Sequence, residues 1–232
     1  DLAAHRSAAS GSSRTAPRSV RGLTGWYCTD AQTPLTAGTW KAACAAFATA
    51  MHAAELLRNG GEQLTYALCR PSGHHAGKDF FGGYCYLNNS AAAASVLAQD
   101  GPVAVLDIDY HHGNGTQDVF YSSKRVFTAS LHADPEHAYP YYSGYADERG
   151  TGAGRRRNLN IPLPTRVTGE EYLTQLKKAL GAIKRFRPRA LVVAFGADLA
   201  EGDPIVDLVL TPEDLHAVAR EIAALRRPTV VC

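Results

Sequence analysis

The sequence lacks a disulfide framework and a long apolar run. Its five cysteines are scattered and include no CxxC pair, which favours reduced, mostly buried thiols in a cytoplasm-like compartment. No run of apolar residues approaches the roughly 20 needed to cross a membrane, and no signal-peptide core stands at the start. We therefore expect a cytoplasmic protein without a membrane partner.

Neither sign of charge is in excess. Lys and Arg number 24 against 22 Asp and Glu among 232 residues, a balance that argues against a nucleic-acid partner held mainly by charge. Length and composition suit one sizeable globular domain. The start is rich in Ala, Ser and Arg, a composition shared by transit peptides and flexible segments. We predict an extended N-terminal segment over 1–24 and one domain over 25–232.

Helix-like and strand-like segments alternate along the chain. Between Thr39 and Arg58, apolar residues recur at helical steps and predict one buried stripe: Trp40, Cys44, Phe47, Met51 and Ala54. Helix starts are predicted at Thr168, with Glu171 completing a capping box, and at Thr211, before Pro212. Other apolar segments resemble strands or a short helix: 65–70, 89–99, 102–109, 125–132, 189–198 and 228–232. This order predicts an α/β domain with a mostly parallel sheet.

Polar clusters follow several of the predicted strands. They begin at Arg70, Asp107, His132 and Asp198. Ligands of parallel α/β sheets bind beyond the carboxyl ends of the strands. The sequence therefore predicts a functional site on that rim of the sheet, independently of any family.

The segment DIDYHHGNGTQ is typical of a metal site. In a strand, alternate side chains share a face, so Asp107, Asp109 and His111 point the same way if the strand persists. Asp and His are common ligands of zinc and similar ions. Asp198, at another strand end, supplies a third ligand and leaves a coordination position open for water. The competing interpretation is that the two aspartates are ordinary loop and cap residues.

The loop RPSGHHAGKDFFGGYCYLNN carries adjacent His74 and His75, which are too close to chelate one metal comfortably. A histidine can take a proton from water and return it to a leaving amine. Each ring needs an acceptor that fixes its tautomer, and Asp107 and Asn114 are the candidates. The competing interpretations are a polar surface loop and a non-catalytic metal-binding pair.

Seven segments occur in the order seen in the histone deacetylase superfamily: RPSGHHA, GGYCYLNN, DIDYHHGNGTQ, SLHADP, YPYYSGYADERGTGAG, NLNIPLP and FGADLAEGDP. The chain most resembles the bacterial members, the acetylpolyamine amidohydrolases and class II-like deacetylases. The motifs are long and specific, and the resemblance runs from about Gly25 to Cys232. It implies the arginase–deacetylase α/β fold, with a single mostly parallel sheet between helices.

The resemblance also implies roles for particular residues. It implies Zn²⁺ held by Asp109, His111 and Asp198. It implies His74 and His75 as the catalytic tandem histidines, partnered by Asp107 and Asn114. It implies a structural K⁺ held, largely through backbone oxygens, by Asp107, Asp109, His111, Ser130 and Leu131. It places Gly83, Tyr84 and Tyr139 along the substrate tunnel.

The reaction that the resemblance implies is hydrolysis of an N-acetyl group from a primary amine. The sequence leaves open whether the substrate is an acetylated polyamine or acetyl-lysine. It also leaves oligomeric state open, a homo-oligomer included. An arginase-like enzyme with two manganese ions is disfavoured, because GADLAEGD lacks an Asp-x-Asp pair.

Two departures from the family pattern qualify this expectation. The motif usually written RPPGHHA has Ser72 in place of a proline. The family also places a tyrosine, which hydrogen-bonds the substrate carbonyl, just after the strand that PTVVC resembles. The sequence ends at Cys232, before that position. Such a donor is worth ~10²–10³ in turnover. We therefore expect a deacetylase domain incomplete at its C-terminal end, with weak or absent turnover. The alternative is a non-catalytic zinc-containing module, or inactive fragment, that binds acyl-amines.

Overall fold

The computed structural model describes residues 18–203 and 210–232, which form one parallel sheet between two layers of helices. The strands are β1 (Leu64–Tyr66), β2 (Val103–Asp107), β3 (Val126–Ala133), β4 (Asn158–Leu163), β5 (Ala190–Ala194) and β6 (Thr229–Val231). The helices are α1 (Val20–Tyr27), α2 (Thr39–Arg58), α3 (Asn89–Leu97), α4 (Asn114–Phe120), α5 (Gly169–Phe186) and α6 (Pro212–Ala223). Short 3₁₀ turns occupy Gly152–Gly154 and Ala197–Leu199.

The sheet has the strand order β1-β6-β5-β2-β3-β4, and every neighbouring pair is parallel. This confirms the predicted α/β class with a parallel sheet. β2 lies in the interior, where Asp107 at its end pairs in register with Ser130 of β3 and Ala194 of β5. The residues that follow these strands therefore meet at one rim.

The two faces of the sheet have separate cores. In β2, Ala104 and Leu106 pack on the side of α5 and α6, whereas Val103 and Val105 pack on the side of α2 and α3. All four side chains are at most 1% exposed. This alternation explains the continuous apolar run of β2, because a strand covered on both faces has no solvent side.

The predicted starts of α5 and α6 are confirmed. The Thr168 hydroxyl accepts from the Glu171 amide, and the Glu171 carboxylate accepts from the Thr168 amide. At α6, Thr211 and Asp214 form the same reciprocal pair, with Pro212 in the first turn. Each box satisfies amide donors that a helix start otherwise leaves without a partner.

The bounds predicted for α2 are right, and the predicted apolar stripe is right at Ala54 and in part at Met51 but wrong at Trp40. Trp40 is 69% exposed. The buried face consists mostly of smaller residues, and apart from Ala54 these lie beside the predicted positions: Ala43, Ala46, Ala50, Ala53, Ala54 and Leu57. Alanines let α2 pack closely against α3, whose own buried face is also rich in alanine. The fit between the alanine faces of α2 and α3 therefore decides which side of α2 is buried, and the size of its apolar side chains does not.

Part of the segment predicted to be extended is helical. Residues 20–24 belong to α1, which begins after Ser19, whose hydroxyl accepts from the Gly22 amide. A serine in this position stabilises a helix start. Residues 1–17 of the predicted segment lie outside the described residues, and the domain limits stay a prediction.

Three strands differ from the predicted pattern. β2 ends at Asp107, two residues earlier than predicted, and β1 is three residues long. The sequence analysis predicted no strand at β4, which forms one edge of the sheet. The Thr128 amide donates to the carbonyl oxygen of Arg157, just before β4, and the Asp134 amide donates to that of Leu163, at its end. The backbone groups of the odd-numbered residues of β4 therefore face β3, and those of the even-numbered residues face the open edge. Pro162 therefore turns its ring nitrogen, which has no hydrogen, to the open edge, where proline is tolerated.

None of the helices within the described residues has the combination of length and apolar character that crossing a membrane requires.

Candidate metal centre and active site

Asp109, His111 and Asp198 converge at the carboxyl rim of the sheet. One ligand atom from each of the three residues lies within 4.8 Å of the others. Asp198 lies in the 3₁₀ turn after β5, and β5 pairs directly with β2. The sheet therefore brings together residues that are 87 positions apart in the chain.

The His111 ring lies between the two carboxylates. Its Nδ1 is 3.3 Å from Asp109 Oδ1 and 3.1 Å from Asp198 Oδ2. The backbone amide of Tyr110 donates to Asp198 Oδ1 over 3.2 Å and fixes that side chain. Two oxygens and one nitrogen form a donor set that suits zinc, and the partial exposure of all three residues leaves an open side.

Proximity perturbs the pKa values of the cluster. Burial alone would lower the pKa of His111, but hydrogen bonds to Asp109 and Asp198 outweigh it and raise the pKa to about 9. Burial would raise the pKa of Asp109, but the imidazoles of His74 and His111 hold it below its usual range. Such strongly shifted groups are concentrated at functional sites.

Asp107 does not join this cluster. Because β2 ends at Asp107, the alternation that would align it with Asp109 and His111 is interrupted. Its Oδ2 instead lies 3.0 Å from His74 Nδ1, in a pair that is almost fully buried. The expectation that all three side chains point the same way is therefore wrong for Asp107, whereas its predicted pairing with His74 is present.

His75 has the partner predicted for it. Its Nδ1 lies 2.7 Å from Asn114 Oδ1, at the first residue of α4. The other end of the same amide, Asn114 Nδ2, donates to the hydroxyl of Tyr142 over 3.0 Å. This second contact orients the amide oxygen toward His75, so the Nδ1 of His75 carries the hydrogen and its Nε2 keeps a lone pair.

The two adjacent imidazoles differ in basicity. Burial lowers the pKa of His74, but the carboxylates of Asp109 and Asp107 outweigh it and raise the pKa well above the usual value. Burial and the neighbouring His74 both lower the pKa of His75 well below its usual value. The ring centroids are 3.9 Å apart, so a more basic and a less basic imidazole lie side by side in one site.

Asn88 holds the histidine loop in place, a role that the sequence analysis missed. Its Nδ2 donates to Ala76 O over 3.0 Å and to Thr116 Oγ1 over 3.1 Å. Its Oδ1 accepts from the Ala91 amide and caps α3. An asparagine just before an alanine-rich helix is the signal that could have identified it.

Two glycines allow the close approaches within the site, and both were missed as functional residues. A Cβ atom at Gly113 would lie 2.1 Å from Asp107 Oδ2. A Cβ atom at Gly196 would lie 2.1 Å from Asp109 Oδ2 and 2.5 Å from Asp198 Oδ1. Any other residue at either position would displace a carboxylate of the site.

Gly83 and Tyr139, which were predicted to line a tunnel, both lie against His75. A Cβ atom at Gly83 would lie 2.2 Å from the His75 ring, and φ at Gly83 is 54°. The Tyr139 ring contacts His75 edge-on, with centroids 4.8 Å apart. Tyr84 is 55% exposed, and its hydroxyl is 3.4 Å from Gln32 Oε1. No described contact brings the Tyr84 ring to His75, and its tunnel role stays a prediction.

Asp30 connects these two walls, and the sequence analysis did not identify it. Its Oδ2 accepts from the Gly83 amide over 2.6 Å and lies 3.5 Å from the Tyr139 hydroxyl. The neighbouring Thr29 hydroxyl is 2.8 Å from that same tyrosine oxygen. Burial raises the pKa of Asp30, but backbone donors at Gly83, Gln32 and Thr33 outweigh it and lower the pKa below its usual value.

The residues predicted to hold potassium are only partly connected by described contacts. Asp107 and Ser130 are register partners on adjacent strands, and Leu131 follows in β3. The Ser130 hydroxyl lies 2.8 Å from His132 Nδ1. Together with Asp109 and His111 they stay a predicted set, because no described contact tests ion binding.

The arrangement defines a class of protein: an α/β domain with a parallel sheet, a candidate Asp-His-Asp metal site at its rim and two buried histidines beside it. The family profile described as "Histone deacetylase domain" matches residues 3–232. The chain therefore belongs to the histone deacetylase family and has the arginase–deacetylase fold.

Acetylpolyamine amidohydrolases are among its most similar relatives. The chain is 45% identical to an acetylpolyamine amidohydrolase of Mycoplana ramosa, in a match that covers 94% of this chain and 65% of that protein. It is 45% identical to acetylpolyamine amidohydrolase 1 of Pseudomonas aeruginosa, with 92% and 62% covered. The chain thus spans a little under two thirds of the length of these relatives.

Solved structures agree with this assignment. A crystal structure of an acetylpolyamine aminohydrolase from Burkholderia pseudomallei superposes with a TM-score of 0.91 at 40% identity, covering 94% of this chain and 64% of that one. The structure titled HDA15 HD domain superposes with a TM-score of 0.82 at 31% identity, covering 88% and 60%.

Proposed function

We propose that the chain belongs to a zinc-dependent amidohydrolase that removes acetyl groups from acetylated polyamines. The observation that carries this proposal is the convergence of Asp109, His111 and Asp198 beside the paired histidines His74 and His75. Relatives at 45% identity are named for acetylpolyamine hydrolysis, which favours a polyamine over acetyl-lysine. Both substrates present the same acetyl-amide group to the site.

Asp109, His111 and Asp198 would hold the metal. A zinc ion there would supply polarisation of the amide carbonyl and a lowered pKa of water. The two carboxylates balance the charge of the cation, and the Tyr110 amide fixes Asp198 before any ion binds. We further propose that Asp107, Asp109, His111, Ser130 and Leu131 provide oxygens for a structural potassium ion.

The paired histidines divide the proton transfers between them. His75 donates through Nδ1 to Asn114, which leaves Nε2 free to accept a proton from water. His74 is held by the Asp107 carboxylate, which favours its charged form. A charged imidazole next to the site can give a proton to the departing amine, so that acetate and a protonated amine result.

Asp30 acts as a positioning residue, because it touches both walls of the predicted tunnel and none of the reacting groups. Changing Asp30 to Asn replaces one acceptor oxygen with a donor. Either the Oδ2 contacts with the Gly83 amide and Tyr139 are lost, or the Oδ1 contacts that hold Asp30 itself in its turn are lost. Loss of one charge-assisted hydrogen bond corresponds to about a tenfold effect. We expect KM for the acetylated amine to rise about tenfold while zinc content and kcat change little. Steady-state kinetics with metal analysis measures this.

Gln32→Ala is the matched control for Asp30→Asn, since the exposed Gln32 side chain contacts only the Tyr84 hydroxyl among the tunnel residues. An equal rise in KM in both variants would contradict the role of Asp30.

The lowered pKa of Asp30 also determines how its contribution to the stability of the folded chain depends on pH. The folded pKa lies below the unfolded value of about 3.9, so the stabilising contribution is complete above that value. It is lost as pH falls through the folded pKa.

The proposed function is tested by zinc content together with acetate release. Because the chain spans under two thirds of its relatives, both should be measured on this chain and on any longer natural form of it. We expect about one zinc per chain in each form, with acetate released faster from an acetylated polyamine than from an acetyl-lysine peptide. Zinc with substrate binding but no acetate in either form would indicate the binding-module alternative. Absence of zinc in both would overturn the proposal.

A further inference from the structure

A cavity of about 910 Å³ lies at the end of the sheet opposite to the candidate metal centre. Its walls include Phe127, near the start of β3, and Asn158, at the start of β4. The metal ligands follow the other ends of the strands. We call this cavity the basic cleft, defined by the cations that line it: Arg149, Arg155, Arg156, Arg157, Lys178 and Arg185.

The basic cleft concentrates positive charge in a protein that is otherwise nearly balanced. Six cationic side chains and one acidic side chain, Asp147, line it, whereas the whole chain has a formal charge of +2. Within residues 18–203 and 210–232, none of the six cations forms a salt bridge with a carboxylate. Six like charges that face one cavity with a single opposite charge, Asp147, repel one another, and an anion in the cavity would relieve this repulsion.

The loop that carries four of these cations has a fixed backbone. The Arg156 amide donates to Arg149 O over 2.6 Å, and Arg157 O accepts from Thr128 of β3 over 2.9 Å. A Cβ atom at Gly150 would lie 2.2 Å from the Gly154 carbonyl oxygen, so the turn is closely packed. The backbone positions of these arginines are thus set before any ligand arrives, which reduces the entropy cost of binding.

The floor of the basic cleft is apolar and aromatic. Phe127, Leu159 and Phe186 contribute to it. The guanidinium carbon of Arg157 lies 4.9 Å above the Phe186 ring. Stacking on an aromatic ring holds an arginine while its edge donors stay available. The volume of the basic cleft falls within the roughly 300–1,000 Å³ of small-ligand pockets, and its lining is more polar than is usual for them.

We propose that the basic cleft binds a small ligand that carries a chain of phosphate groups, such as a nucleoside triphosphate. Arginine donors match phosphate oxygens in pairs, and several phosphates are needed to engage cations on both the loop and α5. The ring of a nucleoside would have the partly exposed Phe186 as its aromatic contact, because Phe127 is only 6% exposed and packs against Phe186 with ring centroids 5.4 Å apart. An acetylated polyamine is cationic and would be repelled, so this is a second site for a ligand of opposite charge.

Isothermal titration of the full chain with ATP, inorganic tripolyphosphate and adenosine tests this proposal. We expect ATP and tripolyphosphate to bind and adenosine not to bind. Reversing two cleft charges in Arg155→Glu/Arg156→Glu should weaken ATP binding tenfold or more, because losing a single hydrogen bond between charged groups already costs about tenfold in affinity. The control Lys41→Glu/Arg220→Glu makes the same change in net charge at exposed positions on α2 and α6, outside the cleft.

The outcomes separate a site from general attraction. Tighter binding of ATP than of tripolyphosphate would assign a role to the aromatic floor, and equal binding would assign recognition to the phosphates alone. Either result supports the proposal if the control pair keeps its affinity. Equal weakening in both double variants would overturn it, as would binding of adenosine alone or of none of the three. Loss of zinc or of acetate release would leave this result unaffected, since the cleft shares no residue with the metal centre.

Discussion

Replacing Asp198 with asparagine is expected to lower the zinc affinity of the chain by more than about a hundredfold, because a neutral amide replaces one of two carboxylates facing the cation. Loss of an outer-shell partner alone commonly costs 10–100-fold in affinity. The asparagine oxygen can still accept from the Tyr110 amide, as Asp198 Oδ1 does. The turn should therefore fold normally. Metal analysis after dialysis against a zinc buffer measures the change.

The control for this substitution is Asp79→Asn, which removes the same charge from an exposed residue near the histidine loop. It should bind zinc as the unaltered chain does. His111→Ala should lose zinc as Asp198→Asn does, since Nδ1 of His111 lies between both carboxylates. Full zinc occupancy in Asp198→Asn would refute the ligand set.

Changing His75 to alanine is the second large perturbation, and it should separate proton transfer from metal binding. A positioned general base contributes about 10²–10⁴ in rate. We expect kcat for acetate release to fall by that factor while zinc content is kept, because His75 does not belong to the ligand cluster. The measurement is single-turnover acetate release, made in whichever natural form of the chain shows turnover.

Asn114→Ala provides the graded comparison for His75→Ala. The imidazole remains but loses the acceptor 2.7 Å from its Nδ1, so its orientation and tautomer are no longer fixed. We expect a smaller loss of kcat than in His75→Ala. A larger loss would mean that Asn114 acts on the substrate directly, and an unchanged rate in His75→Ala would rule out His75 as the base.

The local features of the fold could be read from the sequence where one short pattern had one physical solution. Thr168 with Glu171 predicts a helix start because both partners lie within a single turn. The apolar run of β2 predicts a strand covered on both faces, because no solvent-facing side chain interrupts it. The metal-ligand types could be read in the same way, because Asp109 and His111 lie two residues apart in one short segment.

Features that depend on packing between distant segments could not be read in this way. The orientation of α2 is set by the alanine face of α3, so the larger Trp40 lies outside. β4 was missed because its buried side chains include amides. Asn158 and Asn160 both donate to Gln117 Oε1, over 2.7 and 2.9 Å, and only the folded structure supplies that acceptor.

The residues of the candidate site differ in the same way: some could be identified from the local sequence, and others only from the folded structure. The paired histidines and their partners carry a chemical signature in the sequence, whereas Asp30 looks like any turn aspartate. Its contact with Gly83 joins residues 53 positions apart, and nothing local marks it. Gly113 and Gly196 are likewise defined by the carboxylates that approach them, a constraint that exists only once the strands are paired.

The proline in β4 has a consequence for how this molecule behaves at high concentration. A neighbouring chain that tried to extend the sheet beyond β4 would need a donor at every second residue along that edge. At Pro162 it would find a ring carbon instead, and the hydrogen-bond ladder would be interrupted. Within the part of the chain that the structure describes, the opposite edge of the sheet offers only the three residues of β1. Growth of fibrils by strand addition is therefore hindered at both sides of the sheet.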